Sequence, residues 1–350
     1  MDWTTYIALS LGKTVVFFVI LLTAVAYTVL LERKLVARIQ NRWGPTRVGP
    51  FGLLQPLADG LKFILKEDLI PGNVYKPLYV LAPMLSLTVA LMAIAVIPVG
   101  ENVRLPGLGF ETPLQITDIN IGLLFLLGVT SVGVYGVALA GWSSNSKYSL
   151  LGSLRASAQM ISYELSLGLS LVGVLILSGT LSLRGIVDAQ SGTYFGFIPR
   201  WNILSSTFPQ VLGFFIYLTA AFAETNRIPF DLPESETELV AGYHTEYSAM
   251  KFAMFFMAEY INMFTVSCVA TLLFFGGWHG PVFGPPALQA VLPLLWFVAK
   301  VFFFIFLYIW IRGTLPRFRY DQLMAFGWKV LLPLALFNVM ATGLVVAWKG

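Results

Sequence analysis

Eight stretches of this chain are apolar over a length of helix that reaches across about 30 Å of hydrocarbon, and that length is about 20 residues. They lie near 8–31, 77–99, 121–142, 157–178, 208–225, 248–277, 290–312 and 327–347. Hydrocarbon offers an unpaired backbone amide no water to bond, so segments of this kind close their hydrogen bonds internally as helices. The composition agrees: 57% of residues are hydrophobic and 11% charged, where a soluble domain carries about 25% charged. The expectation is an all-α polytopic membrane protein, a single integral domain over 1–350. Its loops on one face would be 32–76, 143–156, 226–247 and 313–326. The first apolar stretch precedes its basic cluster of Arg33, Lys34, Arg38 and Arg42, the reverse of a cleaved signal peptide.

The basic residues orient the chain. With eight spans, sixteen of the 22 Lys and Arg fall on one face, including Arg33, Arg42, Lys62, Arg155, Arg227 and Arg317. The opposite face holds Arg104, Arg184, Arg200 and Lys349, while Lys13 and Lys300 lie inside spans. Lysine and arginine concentrate on the cytoplasmic side, so both termini are expected outside. The net charge of +4 thus reflects topology, and no nucleic-acid binding is read into it.

The same sequence excludes several chemistries. Cys268 is the only cysteine, and His244 and His279 are the only histidines. An iron–sulfur cluster needs about four thiolates, and a bis-histidine haem needs two histidines on facing helices. His244 and His279 fall on opposite sides of the membrane in this topology. Phosphate-binding glycine loops and nucleophile elbows are missing as well. No metal site, bound cofactor or complete catalytic site is expected in this chain alone.

One helical segment is too short to span. From Leu53 to Lys66, Leu54, Leu57, Ala58, Leu61, Ile64 and Leu65 recur at helical spacing, with Gln55, Asp59, Lys62 and Lys66 on the other face. Pro56 suits the first turn, where a missing N–H costs nothing. The segment reads as an amphipathic helix at the membrane surface, a strap or one wall of a portal to lipid.

Acidic residues supply the functional signal. Glu224, Asp231, Glu234, Glu236, Glu238 and Glu246 crowd one short stretch between two spans, with Arg227 alone to balance them. Like charges beside low dielectric raise one another's pKa, a cost that points to proton or cation handling. Glu164, Glu259 and Lys300 sit within spans. A static Glu164–Lys300 pair is one reading. With Glu224 and the acidic stretch nearby, a relay of carboxylates through Glu164, Glu224, Glu234, Glu236, Glu238 and Glu259 is the favoured one. Gly128, Gly133, Gly136 and Gly141 are read as close helix contacts, as are Ser162, Ser166 and Ser170.

Four stretches resemble one family, the quinone-proximal membrane component (the H subunit) of respiratory complex I, NADH:quinone oxidoreductase. They are Leu31-Glu-Arg-Lys with Arg42–Asp59, Gly141–Glu164, Ala223–Tyr247 and Leu315–Met324. The resemblance runs from the first span to the last. It implies a heel subunit in a bacterial cytoplasmic membrane, contacting the peripheral-arm quinone-site subunits, small membrane subunits and lipids. NADH, FMN and iron–sulfur clusters would belong to partner subunits, with a quinone, ubiquinone or menaquinone, as substrate. It implies further that Arg33, Arg42, Asp59, Arg227, Asp231 and Arg317 line or shape the quinone path. The carboxylates would form a proton-linked chain, and the middle helices would resemble an antiporter half-channel. Two rivals are a homologous component of a membrane-bound hydrogenase and a stand-alone secondary transporter. The long Arg33–Asp59 segment resembles the quinone-linked branch, and the internal repeats of a transporter are not found.

Overall fold

Helices make up most of the backbone in the computed structural model, which describes residues 3–104, 111–194, 198–231, 240–283 and 285–349. In chain order they are α1 (Trp3–Ile39), α2 (Gln55–Leu65), α3 (Lys76–Ile94), α4 (Gly122–Ser143), α5 (Lys147–Ser178), α6 (Leu183–Ala189) and α7 (Val211–Glu224). Then come α8 (Ala249–Phe274), α9 (Pro286–Thr314), α10 (Tyr320–Phe326) and α11 (Leu332–Lys349), the last two joined by a π-helical turn at Gly327–Leu331. The described strands are two short antiparallel pairs, Asn102–Arg104 with Glu111–Pro113 and Thr193–Tyr194 with Ile198–Pro199.

Seven helical segments are long and apolar enough to cross a membrane; the exception among the eight expected is α7, with 14 residues. At 1.5 Å per residue it reaches about 21 Å. It lies along the middle of α5, meeting it at two levels 14 residues apart. Near its start, Gln210 sits against Gly173, and at its end Ala223 O accepts from Gln159 Nε2 (2.8 Å). Protein on most sides replaces the hydrocarbon that would demand a longer segment.

Both termini lie on one face. Lys13 Nζ donates to Pro113 O (3.4 Å) in the α3–α4 connection, and Lys349 Nζ donates to Ser206 O (3.1 Å) in the α6–α7 connection. The opposite face gathers α2, the α4–α5 turn and the segment before α8. There Tyr75 N donates to Ser143 O (3.1 Å), Leu69 N to Ser248 Oγ (3.1 Å) and Tyr79 Oη to Glu246 O (2.6 Å).

Several helices run past their apolar windows, since hydropathy marks the hydrocarbon and not the helix end. Thus α1 continues to Ile39, and α5 begins at Lys147, leaving Arg155 on a helix rather than in a loop. A tight turn through Ser144–Ser146, with Asn145 at φ 51°, reverses the chain. Of the four glycines expected at close contacts, two need their missing side chain. A Cβ on Gly136 would collide with Ser86 Oγ, and one on Gly141 would collide with Ser153 Oγ; around Gly128 the space is open. The core is built mainly from α3, α4, α5, α7, α8 and α9, with α11 packed on α5. Helix α1 adds Leu21 and Val25 to the core from its edge and rests against α2, α8 and α9.

Candidate functional site

Helix α1 buries one stripe, Leu21, Val25, Thr28 and Glu32, at helical spacing. The stripe ends on a carboxylate that is 5% exposed. Arg227, at the turn after α7, meets it with Nη1 at 3.2 Å from both Glu32 oxygens. Its Nε lies 2.6 Å from Glu259 Oε1 on α8, and its guanidinium stacks 4.1 Å over the Tyr260 ring. Arg312, near the end of α9, pairs with Glu32, and Tyr260 Oη donates to the same carboxylate (2.7 Å). Three helices and one turn thus converge on two carboxylates and two guanidiniums. A buried charge is tolerated when it is paired and hydrogen-bonded in this way.

Beside this cluster lies a partly polar cavity of about 40 Å³, which at about 10–15 Å³ per enclosed water has room for about three or four. Glu224 and Glu259 both line it, with Asn226, Asn262, Tyr243 and Ser86. Helix α8 presents Phe255, Ala258, Glu259 and Asn262 to the cavity as one face. Among the described residues no cation pairs with Glu224. Glu164 on α5 accepts from Ser131 Oγ on α4, and it too has no cationic partner among the described residues.

A second face of α8 carries Phe252, Phe256 and Tyr260 at four-residue spacing. Phe63 on α2 meets Phe252 (ring centroids 6.2 Å), which stacks on Phe256 (6.1 Å), and Phe256 meets Tyr260 (4.9 Å). An aromatic row therefore leads from the surface helix to the Glu32–Arg227 cluster. Helix α2 turns its polar face inward, where Asp59 pairs with Arg33 (2.6 Å) and accepts from Gln55 (3.1 Å). Leu57, Leu61 and Ile64 face outward.

The segment before α8 is pinned firmly. Tyr79 and Tyr247 stack at 4.2 Å, and Lys251 Nζ pairs with Asp68 (2.6 Å). His244 packs edge-on against Tyr243 (4.8 Å) and Phe252 (5.4 Å), and burial pushes its pKa down to about 4. Burial pushes the Tyr247 hydroxyl up to about 12, against hydrogen bonding to Ser143 and Ser144.

The expected site residues fall into three groups. Arg227, Glu259, Glu224, Asp231 and Arg317 are brought together, with Arg317 Nη2 donating to buried Asp231 (3.1 Å). Arg33 and Asp59 form a separate pair at the surface, and Arg42 lies on an exposed turn with its Nε donating to Gln40 (2.8 Å). Glu234, Glu236 and Glu238 lie outside the described residues. The Glu164–Lys300 pair does not form. Lys300 Nζ instead donates to the carbonyls of Phe275 (2.7 Å), Gly277 (2.8 Å) and His279 (2.7 Å), capping the chain that leaves α8. Glu32, Tyr260 and Arg312 escaped sequence reasoning. For Glu32 a signal existed, since it continues the period of Leu21, Val25 and Thr28.

These features define a polytopic α-helical membrane protein with a buried ionic cluster and a carboxylate-lined cavity. The family model for NADH dehydrogenase matches residues 12–343. The second H subunit of NADH-quinone oxidoreductase from Koribacter versatilis (strain Ellin345) is 66% identical over 98% of both chains. The first H subunit from Solibacter usitatus (strain Ellin6076) is 52% identical, again over 98% of both. The H subunit from Leptospira biflexa serovar Patoc is 53% identical over 100% of this chain and 98% of its own. The chain belongs to the NADH dehydrogenase family, among the H subunits of complex I.

Proposed function

We propose that this chain forms the membrane side of the quinone site in a bacterial NADH:quinone oxidoreductase and links quinone reduction to proton translocation. The observation that carries the reading is the aromatic row from Phe63 through Phe252 and Phe256 to Tyr260, ending on the Glu32–Arg227–Glu259 cluster. A quinone has a long apolar tail and a polar headgroup. Flat rings offer the tail a smooth apolar wall, and the row begins at a helix whose leucines face lipid. Arg33 and Asp59 stand at the outer end, with Arg227, Asp231 and Arg317 at the inner end.

Reduction of the headgroup creates negative charge and a demand for two protons. That charge acts on Glu259 and Arg227 through Coulomb forces, which remain strong where water is excluded. Glu259 borders the cavity shared with Glu224, so a change at the cluster reaches both carboxylates, and Glu164 on α5 would extend the chain. Neither Glu224 nor Glu164 has a basic partner among the described residues, so neither is held in a static ion pair. Helices α3, α4, α5, α7 and α8 around the cavity are the counterpart of the antiporter half-channel that the resemblance implies. Electrons arrive from FMN and iron–sulfur centres in partner subunits, in an enzyme of the proton-translocating type, and both termini of this chain face outside. The hydrogenase reading is second, because that enzyme has no long-tailed substrate to occupy an aromatic row.

The test is Phe256→Ala in the assembled complex, assayed with quinones of long and short isoprenoid tails. The KM for the long-tailed quinone is expected to rise several-fold more than for the short-tailed one, with NADH:ferricyanide activity unchanged. An equal effect on both quinones makes the row ordinary packing and removes its role as a tail path.

A further inference from the structure

We propose that the slot between α1 and α3, on the face of the membrane where both termini lie, binds one acyl chain of an anionic phospholipid whose phosphate is held by Lys13. The slot has a volume of about 260 Å³ and is lined by Thr14 and Phe18 of α1, Thr88, Leu91 and Met92 of α3, and Ile116 of the following connection. Its walls are almost wholly carbon, and the Thr14 hydroxyl is already engaged with Ser10 O (2.8 Å). Such a space stays dry, and an unfilled hollow of this size is costly, so a flexible apolar chain is the occupant that suits it. From Ala95 at the rim to Thr88 the slot follows seven residues of chain, about 10 Å along the helix and within one leaflet of about 15 Å.

The helix above it explains why a lipid reaches the slot. The outer half of α1 stands clear of the core, with Leu11 (61%), Val15 (60%) and Val19 (59%) exposed, and Met92 opens sideways. Lys13 is the single charged side chain between Trp3 and Leu31; it precedes Thr14 of the slot in sequence, and its Nζ reaches Pro113, three residues before Ile116 of the lining. Among the described residues its Nζ makes one long hydrogen bond, to Pro113 O (3.4 Å), and an ammonium has three donors to offer. A lysine stem lies along apolar surface while the ammonium reaches the headgroup level, where an anionic phosphate complements it. The site stands on the opposite face of the membrane from α2 and the aromatic row.

The experiment uses the assembled complex in liposomes doped with phosphatidylglycerol or phosphatidylcholine carrying a diazirine at mid-chain, followed by peptide mapping after irradiation. The peptide holding Leu91–Ala95 is expected to label several-fold more with the phosphatidylglycerol probe. Lys13→Gln should bring that labelling down to the phosphatidylcholine level, and Ala95→Trp should lower labelling by both. Equal labelling by the two probes in the unsubstituted complex makes the slot an ordinary lipid contact and overturns the proposal. Labelling by neither means that a helix of another subunit fills the slot, which overturns it as well. Because the two probes are compared without any substitution, poor assembly of a variant leaves the outcome decided.

Discussion

Replacing Glu32 by Gln keeps the shape of the side chain and removes the charge that holds Arg227 and Arg312 together. At the observed 3.2 Å to Arg227, an effective dielectric of about 20 makes one such attraction worth about 5 kcal/mol. Two facts reduce the loss. A neutral amide at position 32 no longer carries the desolvation penalty of a buried carboxylate, and Arg227 keeps Glu259 at 2.6 Å. Arg312 loses its carboxylate, but its side chain is 37% exposed and finds water. The expected net cost is about 3 kcal/mol, at the low end for breaking a buried pair. The double variant Glu32→Gln, Arg312→Leu leaves Arg227–Glu259 as a neutral pair, so it should recover at least half of that loss. The assay is the amount of assembled complex in membranes on native gels, where a change of about 1–2 kcal/mol alters abundance several-fold. A double variant that assembles no better than Glu32→Gln would refute the electrostatic account and leave packing around Glu32 as the cause.

Three further outcomes are expected. Asp231→Asn, which breaks the 3.1 Å pair with Arg317, should lower NADH:quinone turnover about tenfold, or about 1.4 kcal/mol, with NADH:ferricyanide activity near normal; loss of both activities would make the loop a docking surface only. Lys300→Met removes three carbonyl contacts and should destabilise by about 3 kcal/mol, additively with Glu164→Gln to within about 0.5 kcal/mol. Thermal melting of single and double variants checks this, and strong coupling would revive a Glu164–Lys300 interaction. His244 has a native pKa of about 4, below about 6.5 for a free histidine. The unfolded chain therefore binds more protons between these values, so the stability from neutral His244 is full above about pH 6.5 and falls as pH drops towards 4. His244→Gln should melt with a shallower decline between about pH 7 and 5, and an unchanged slope would show that His244 is not the titrating group.

The all-α, polytopic membrane class was legible in the sequence, because it depends on the free energy of each apolar segment in hydrocarbon. The acidic stretch and the intramembrane carboxylates were legible for the same reason, since ionisable groups in such places are conspicuous. Pairing was not. Lys300 and Glu164 looked like complementary charges in separate spans, yet the fold sets Lys300 against carbonyls beyond α8 and Glu164 against Ser131. Sequence separation carries no information on depth and rotation once helices pack. Glu32 shows the limit most clearly. Its period placed it on the buried stripe of α1, but only packing of α8, α9 and the turn after α7 brought Arg227, Arg312 and Tyr260 onto it. The hydrophobic effect and backbone hydrogen bonding act along one segment and can be read there. A buried ionic cluster exists only where several segments meet, so the tertiary structure alone decided it.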